Sequence, residues 1–394
     1  MSRDAPGIVE QPDVSDAALQ ALRGEQLYLN VAGAGPTFPV AQDAAEAFRR
    51  WLNEVGMFSH VGYDAYNAAL ARTRADLASA LGDPGGAGRI ALAQSATDAL
   101  NTLVAGLPLP PGRTIVTTAE EHASALLPVY ERRRRGDRVV VVRFHDEESI
   151  RDDVARALAH GARALVLSLV SCKNGKRLPA EELCSLAREH GALTIVDAAQ
   201  ALGQVPVDVR ALGANGVALL GHKWLHGPLA TGALWVRDVG DFEPLRPGWR
   251  SRVSHDLAGA VELQPDATRF EAGTVDAASF VGLSQALAVH RNLGARAGER
   301  VSALRERLFE RLCGLPLDVL SRPADPTGIV AVVPRYGDAA GIVTRMWTDE
   351  RIVVKHLAES GMPEGIRISF WALHRDEDIE RLGGALERQL AVAA

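Results

Sequence analysis

The chain has 394 residues, 47% of them hydrophobic and 23% charged, with a formal net charge of −6. That length supplies a sizeable core without metal or disulfide staples, and the acidic balance argues against a nucleic-acid partner. Its cysteines, Cys172, Cys184 and Cys313, show neither CxxC spacing nor the density of a disulfide scaffold, which fits a reducing cytoplasm. Met1 to Asp16 holds no apolar core of signal-peptide length, and no later run approaches the roughly 20 apolar residues of a membrane span. A cytoplasmic protein without membrane contact is therefore expected.

After a tail over residues 1–20, β-branched runs alternate with helical patterns. Strands are expected at Arg89–Ala93, Thr114–Thr117, Arg138–Val142, Ala164–Leu169, Ala192–Asp197, Gly216–Leu220 and Gly232–Val236. Helices are expected between them at Ala41–Val55, Thr97–Gly106, Ser149–His160 and Ala180–His190. Such alternation specifies an α/β domain, here residues 21–283, with a mostly parallel sheet covered by helices. The run Arg132–Arg135 reads as a solvated helix end whose cations suit the negative pole of the helix dipole. Asp241–Asp276, with its Pro and Gly, reads as linking loops. From about Ser284 the pattern becomes a smaller C-terminal α+β domain, residues 284–394. Its strands are expected near Gly328–Val333, Arg351–Val354 and Gly365–Phe370, with a final helix from Asp376.

In open sheets of this kind ligands sit beyond the carboxyl ends of the strands. Asp197 ends one strand, and Lys223, in Gly221-His222-Lys223-Trp224, follows the next strand 26 residues later. A pyridoxal 5′-phosphate (PLP) enzyme needs that pair: a lysine to form a Schiff base, and an acid that keeps the pyridine nitrogen protonated so that the ring accepts electrons. Gln94-Ser95-Ala96-Thr97 opens a helix, where free N–H groups and hydroxyls suit the phosphate, although a plain N-cap has the same sequence. His122 follows a strand and suits stacking on the ring. Arg367, a charge inside an apolar alternation, suits a substrate carboxylate or a salt bridge at the domain joint. Gly33-Ala34-Gly35 suggests a nicotinamide-dependent oxidoreductase, but Phe38 replaces the third glycine and Pro36 and Pro39 disturb the turn.

With these residues in order, the chain resembles the class V aminotransferases of PLP fold type I, the superfamily of cysteine desulfurases, isopenicillin N epimerase-like proteins, kynureninase and several C–S lyases. The resemblance is carried by Asp197-Ala198-Ala199-Gln200, Val207 to Gly213, Gly221 to Leu225, Gly227-Pro228, Arg269 to Thr274 and Ile366 to Ser369. It implies that Lys223 is the Schiff-base lysine, that Asp197 holds the pyridinium nitrogen, that Gln200 reaches the ring hydroxyl and that His122 stacks. Ala96, Thr97 and His222 would hold the phosphate. Gly273 and Thr274 would reach the phosphate of a neighbouring subunit, implying a homodimer with shared sites, and Arg367 would grip the α-carboxylate.

The departures matter as well. Gly221 stands where many members have Ser. At Ser171-Cys172-Lys173-Asn174-Gly175, either Cys172 replaces the family's Asn or Asn174 takes over its substrate-binding role. Cys172 is expected to pack beside the ring rather than act as a nucleophile. The loop Val353 to Ser360 lacks the cysteine that receives sulfur in a desulfurase. The expected function is proton abstraction at Cα of an L-amino acid by a C–S lyase or aminotransferase acting on an S-substituted cysteine, and not a persulfide-forming desulfurase. Decarboxylating oxidative deamination, epimerisation and cofactor binding without catalysis are the alternatives.

Overall fold

A computed structural model describes residues 5–12, 26–359 and 361–393. The expected tail lies outside the described residues except for 5–12, as does Ser360 of the loop ahead of Arg367. In chain order the elements are β1 (Leu27–Tyr28), α1 (Pro39–Val55), α2 (His60–Ala80), β2 (Ile90–Ala93), α3 (Ala96–Ala105), β3 (Thr114–Thr118), α4 (Ala123–Arg134), β4 (Arg138–Val142), α5 (Glu147–Ala159), β5 (Ala162–Ser168), α6 (Ala180–Glu189), β6 (Leu193–Asp197), α7 (Val209–Leu212), β7 (Gly216–Leu220) and β8 (Gly232–Val236). There follow β9 (Arg252–His255), β10 (Val261–Leu263), α8 (Ala277–Leu293), α9 (Arg296–Leu312), β11 (Leu317–Val319), β12 (Ile329–Pro334), α10 (Ala339–Thr348), β13 (Ile352–Val353), β14 (Lys355–Leu357), β15 (Gly365–Ser369) and α11 (Asp376–Ala393).

A seven-stranded sheet in the order β2-β8-β7-β6-β5-β3-β4 forms the centre of the large part. β7, β6, β5, β3 and β4 run parallel, and β8 alone is antiparallel to both of its neighbours. Strands covered on both faces have no polar side to show, so β2, β7 and β8 are buried along their whole length. Because β8 reverses, β2 points the same way as β7. The carboxyl ends of β2, β3, β5, β6 and β7 therefore share one edge of the sheet.

The smaller sheet, β11-β12-β15-β14, is antiparallel throughout. β15 is internal and buried, with Arg367 paired to Ala331 on one side and to Lys355 on the other. The chain's start is stitched to this part: β1 pairs with β13, and Asn30 bridges Ser369. Helix α8 runs unbroken through residues 283 and 284 and packs on α1 and α2.

Arg305, on α9, is 2% exposed and closes the turn that feeds β12. Its guanidinium donates to the carbonyls of Pro323, Arg322, Thr327 and Ile329, so a single side chain reaches four backbone acceptors, of which the Arg322 carbonyl also accepts the Asp325 N–H at 3.2 Å. Replacing it with methionine keeps much of the packing and strands the carbonyls of Pro323, Thr327 and Ile329, while that of Arg322 keeps the Asp325 N–H. Arg305→Met should cost about 3 kcal/mol of stability, read as a lower denaturation midpoint in guanidinium chloride.

Candidate active site

Three strand ends build one wall of a cavity of about 260 Å³. Ser168 and Asp197 are the last residues of β5 and β6 and are register partners. Leu220 ends β7, and the connection from β7 to β8 carries His222 and Lys223. Ala96, Thr97, His122, Asp197, Gln200, His222, Lys223 and Arg367 all line this cavity, so eight of the expected site residues converge. A larger cavity, about 460 Å³, lies between α2, α8 and the loop Leu202–Val207 and contains none of them.

Asp197 Oδ1 accepts the Ala199 N–H at 2.9 Å. Burial pushes its carboxyl pKa up, opposed by that hydrogen bond and by the charges of Lys223 and His122. Burial pushes the Lys223 amine the other way, opposed first by Asp197. A lysine whose ammonium form is disfavoured is a ready nucleophile and proton acceptor.

His122 caps α4. Its Nδ1 accepts the Ser124 N–H at 3.1 Å and lies 2.9 Å from Ser124 Oγ, which is 2.8 Å from Thr97 Oγ1. Burial, then Lys223, lowers its pKa, so the ring facing the cavity is neutral. Gln200 is committed at both ends of its amide, accepting from Trp224 Nε1 at 2.7 Å and donating to the Ala32 carbonyl at 3.0 Å. Arg367 is 3% exposed; its terminal nitrogens donate to the Cys172 carbonyl at 2.7 Å and to Asn30 Oδ1 at 3.2 Å. Its Nε and the Nδ1 of His222 are buried without a hydrogen-bond partner among the described residues.

Three expected residues are not brought to the cavity. Asn174 turns away: its Oδ1 accepts the Lys176 N–H at 3.1 Å and its carbonyl accepts from Ser321 Oγ. Cys172 is thus the residue of Ser171–Gly175 that lines the cavity, its thiol pushed up to about 11, chiefly by burial. Gly273 and Thr274 sit on a turn outside the cavity, with Thr274 exposed. Glu271 fixes the start of that turn, accepting three hydrogen bonds from Arg74 at 2.7, 2.8 and 3.1 Å and one from the Leu92 N–H at 2.9 Å.

The donor set fits PLP. A buried carboxylate, a neutral imidazole and a lysine surround a space suited to a flat nitrogen heterocycle. The N-terminus of α3 and the unpartnered His222 Nδ1 suit a phosphate. Asp197, His122 and Lys223 would hold the ring, and Ala96, Thr97 and His222 the phosphate.

Sequence reasoning missed Glu121, Ser124, Ser168, Lys355 and the purpose of Gly35. A Cβ at Gly35 would lie 2.0 Å from the Lys223 carbonyl oxygen, and its N–H donates to the His222 carbonyl at 2.9 Å. The Gly33-Ala34-Gly35 spacing therefore serves close approach to the lysine turn rather than a dinucleotide. Glu121, 1% exposed, accepts from Thr118 Oγ1 at 2.7 Å, from the Ser168 N–H at 2.8 Å and from Ser168 Oγ at 2.6 Å. It clamps the ends of β3 and β5, one residue before His122 in the chain. Its position next to a candidate histidine at a strand end was the signal available.

The sequence pattern of the family Aminotransferase class-V matches residues 27–382. A protein of Methanothermobacter thermautotrophicus named probable cysteine desulfurase is 30% identical over 92% of this chain and 94% of its own length. A cysteine desulfurase of Salmonella typhimurium is 28% identical over 70% of this chain and 71% of its own. Among solved structures, the cystine C–S lyase C-DES in complex with its reaction product cysteine persulfide superposes with a TM-score of 0.85 at 25% identity, covering 92% of this chain and 98% of that one. A cysteine desulfurase of Thermococcus onnurineus shares the fold, with a TM-score of 0.88 at 23% identity over 97% of this chain and 99% of its own. These relatives overturn the expectation that a persulfide-forming enzyme is excluded. That exclusion assumed that a protein cysteine must receive the sulfur, whereas a substrate containing a disulfide brings the second sulfur itself.

Glu121 gives this site a pH signature. Burial pushes its carboxyl up to about 7, opposed by its hydrogen bonds, so the folded chain holds a proton there that the unfolded chain releases near 4.5. The associated stability is complete below 4.5 and is lost as pH rises through 7. Melting temperature should therefore fall across that interval more steeply in the wild type than in Glu121→Gln; parallel curves would show that Glu121 does not titrate there.

Proposed function

The chain belongs to the aminotransferase class-V family and is a PLP-dependent enzyme, and we propose that it cleaves the Cβ–Sγ bond of a cysteine-type disulfide amino acid such as L-cystine, forming a persulfide. The observation that carries this reading is the convergence of Lys223, Asp197 and Arg367 in one cavity whose lining thiol, Cys172, is protonated at neutral pH. The similarity to a cystine C–S lyase and to named cysteine desulfurases supports it.

When bound, PLP supplies the electron sink that weakens bonds to the substrate's Cα. Arg367 binds the α-carboxylate and so fixes which Cα bond faces the ring. The Lys223 amine, kept from the ammonium form by burial, takes the Cα proton. Asp197 would hold the ring nitrogen, and the His122 imidazole, its pKa lowered by burial, would cover the ring without adding a competing charge. The Cβ–Sγ bond then breaks with its electron pair on sulfur, and that sulfur leaves bonded to the second sulfur of the disulfide, taking a proton. Water converts the remaining three-carbon unit to pyruvate and ammonia. The sum, cystine plus water giving cysteine persulfide, pyruvate and ammonia, needs no oxidant.

The same proposal places the enzyme in the cytoplasm as a homodimer. Thr274, exposed on the turn that Glu271 anchors, is available to a second copy, where it would complete the partner's phosphate site. This is the role expected of Gly273 and Thr274.

Cofactor-loaded protein given L-cystine should yield pyruvate, ammonia and cyanolysable sulfur in equal amounts. Lys223→Ala should lower turnover by about 10³-fold or more, and Cys172→Ala should leave the product unchanged. Formation of alanine from cysteine, with sulfur retained on Cys172, would transfer the acceptor role to the protein. Absence of persulfide from both cystine and cysteine would reject the proposal.

A further inference from the structure

The substrate side of the cavity carries two cations. Lys355 and Arg367 are directly paired across the antiparallel strands β14 and β15, so their side chains rise from the same face of the small sheet, and both line the cavity. Like charges directly opposite one another destabilise a sheet pair unless an anion joins them. Arg367 is already oriented by Cys172 and Asn30. Lys355 has a looser setting: its ammonium meets Glu359 Oε1 at 3.3 Å, and the two side chains are 35% and 29% exposed. A partly exposed pair four residues apart contributes little stability, so it does not account for a lysine in this position.

The other charged groups around the cavity are assigned. Asp197 faces Lys223 and His122, and Glu121 is enclosed by Thr118 and Ser168. His356, the next residue along β14, pairs outward with Glu364 at 2.6 Å. One α-carboxylate engages one guanidinium, which leaves the Lys355 ammonium facing the cavity with Glu359 as its counter-ion among the described residues. An ammonium on a flexible four-carbon stem can reach an anion farther along a substrate than the fixed fork of Arg367 can.

We propose that Lys355 forms a second anion subsite beside Arg367, selecting sulfur-bridged amino acids that carry a further carboxylate beyond the sulfur. This rests on reading the cavity as a C–S cleavage site and names the class of substrate that site takes. Glu359 holds the ammonium when the subsite is empty, and the distal carboxylate displaces it on binding.

Two disulfide substrates separate this subsite from the reaction itself: S-(2-carboxyethylthio)-L-cysteine, with a distal carboxylate, and S-methylthio-L-cysteine, without one. Cofactor-loaded wild type should favour the first in kcat/KM, through KM, and should bind it more tightly in calorimetry. Lys355→Met should reduce that preference by about fivefold, Lys355→Arg should retain it, and Lys355→Glu should shift preference toward the 2-aminoethylthio analogue. Melting temperatures establish that each variant is folded. An equal loss on both substrates in Lys355→Met would mean that the lysine grips the α-carboxylate or serves structure, and would overturn the subsite, as would a wild type without preference. If wild type cleaves neither disulfide, the C–S cleavage reading fails, while the calorimetric ratio still decides for or against the subsite.

Discussion

The structure turns on the burial of Asp197 with Lys223. Either group alone would lose its charge in such a place, because a carboxylate or an ammonium without water or a partner is strongly disfavoured. Burial moves both toward neutrality, while the charge of each draws the other back toward its ionised form. A proton is therefore inexpensive to move here, which is the property that acid–base work at a substrate carbon requires. The parallel neighbours β6 and β7 bring the pair together, since their carboxyl ends must fall at the same edge of the sheet.

Holding Lys223 in place takes backbone contacts that side chains would obstruct. Its turn is approached by Gly35 from the N-terminal segment and by Gly203, whose φ of +98° and 2.6 Å clearance to the Trp224 backbone exclude any Cβ. Gly328 meets the Phe370 carbonyl so closely that a Cβ would lie 1.9 Å from it. That contact seats β12 and the end of β15 together, and so sets where Arg367 enters the cavity. Trp371 donates to the Gly203 carbonyl at 2.9 Å, completing a path from the small sheet to the lysine turn.

How much of this was legible follows from how local each signal is. The strands of the large sheet show in sequence because buried parallel strands are apolar runs ending at turns: Gly216–Leu220 and Gly232–Val236 match their expected limits. Lys223, Asp197 and Arg367 were legible because a charge at the end of, or inside, an apolar strand demands a reason. The reversed β8 was not, because strand direction leaves no mark on a five-residue apolar run. Glu121 and Ser168 were not, because their bond joins positions 47 residues apart through the register of β3 and β5. Cys172 and Asn174 stood as alternatives because a two-residue shift in a loop changes which side chain lines the cavity, and Cys172 is the one that does.

The missing loop cysteine shows how an absence can mislead. Breaking a carbon–sulfur bond leaves negative charge on sulfur, and the question is what stabilises that charge. In a thiol substrate the departing sulfur must be captured by another thiol, so a cavity without a reactive cysteine argues against persulfide. In a disulfide substrate the departing atom is already bonded to a second sulfur, which makes the persulfide anion a better leaving group than a simple thiolate and removes the need for a protein acceptor. Cys172, buried and with its pKa raised to about 11, is then suited to its position because it is inert. A nucleophilic thiol there would stand beside Arg367, where the substrate has to bind, and would compete for the disulfide before its Cα reached Lys223.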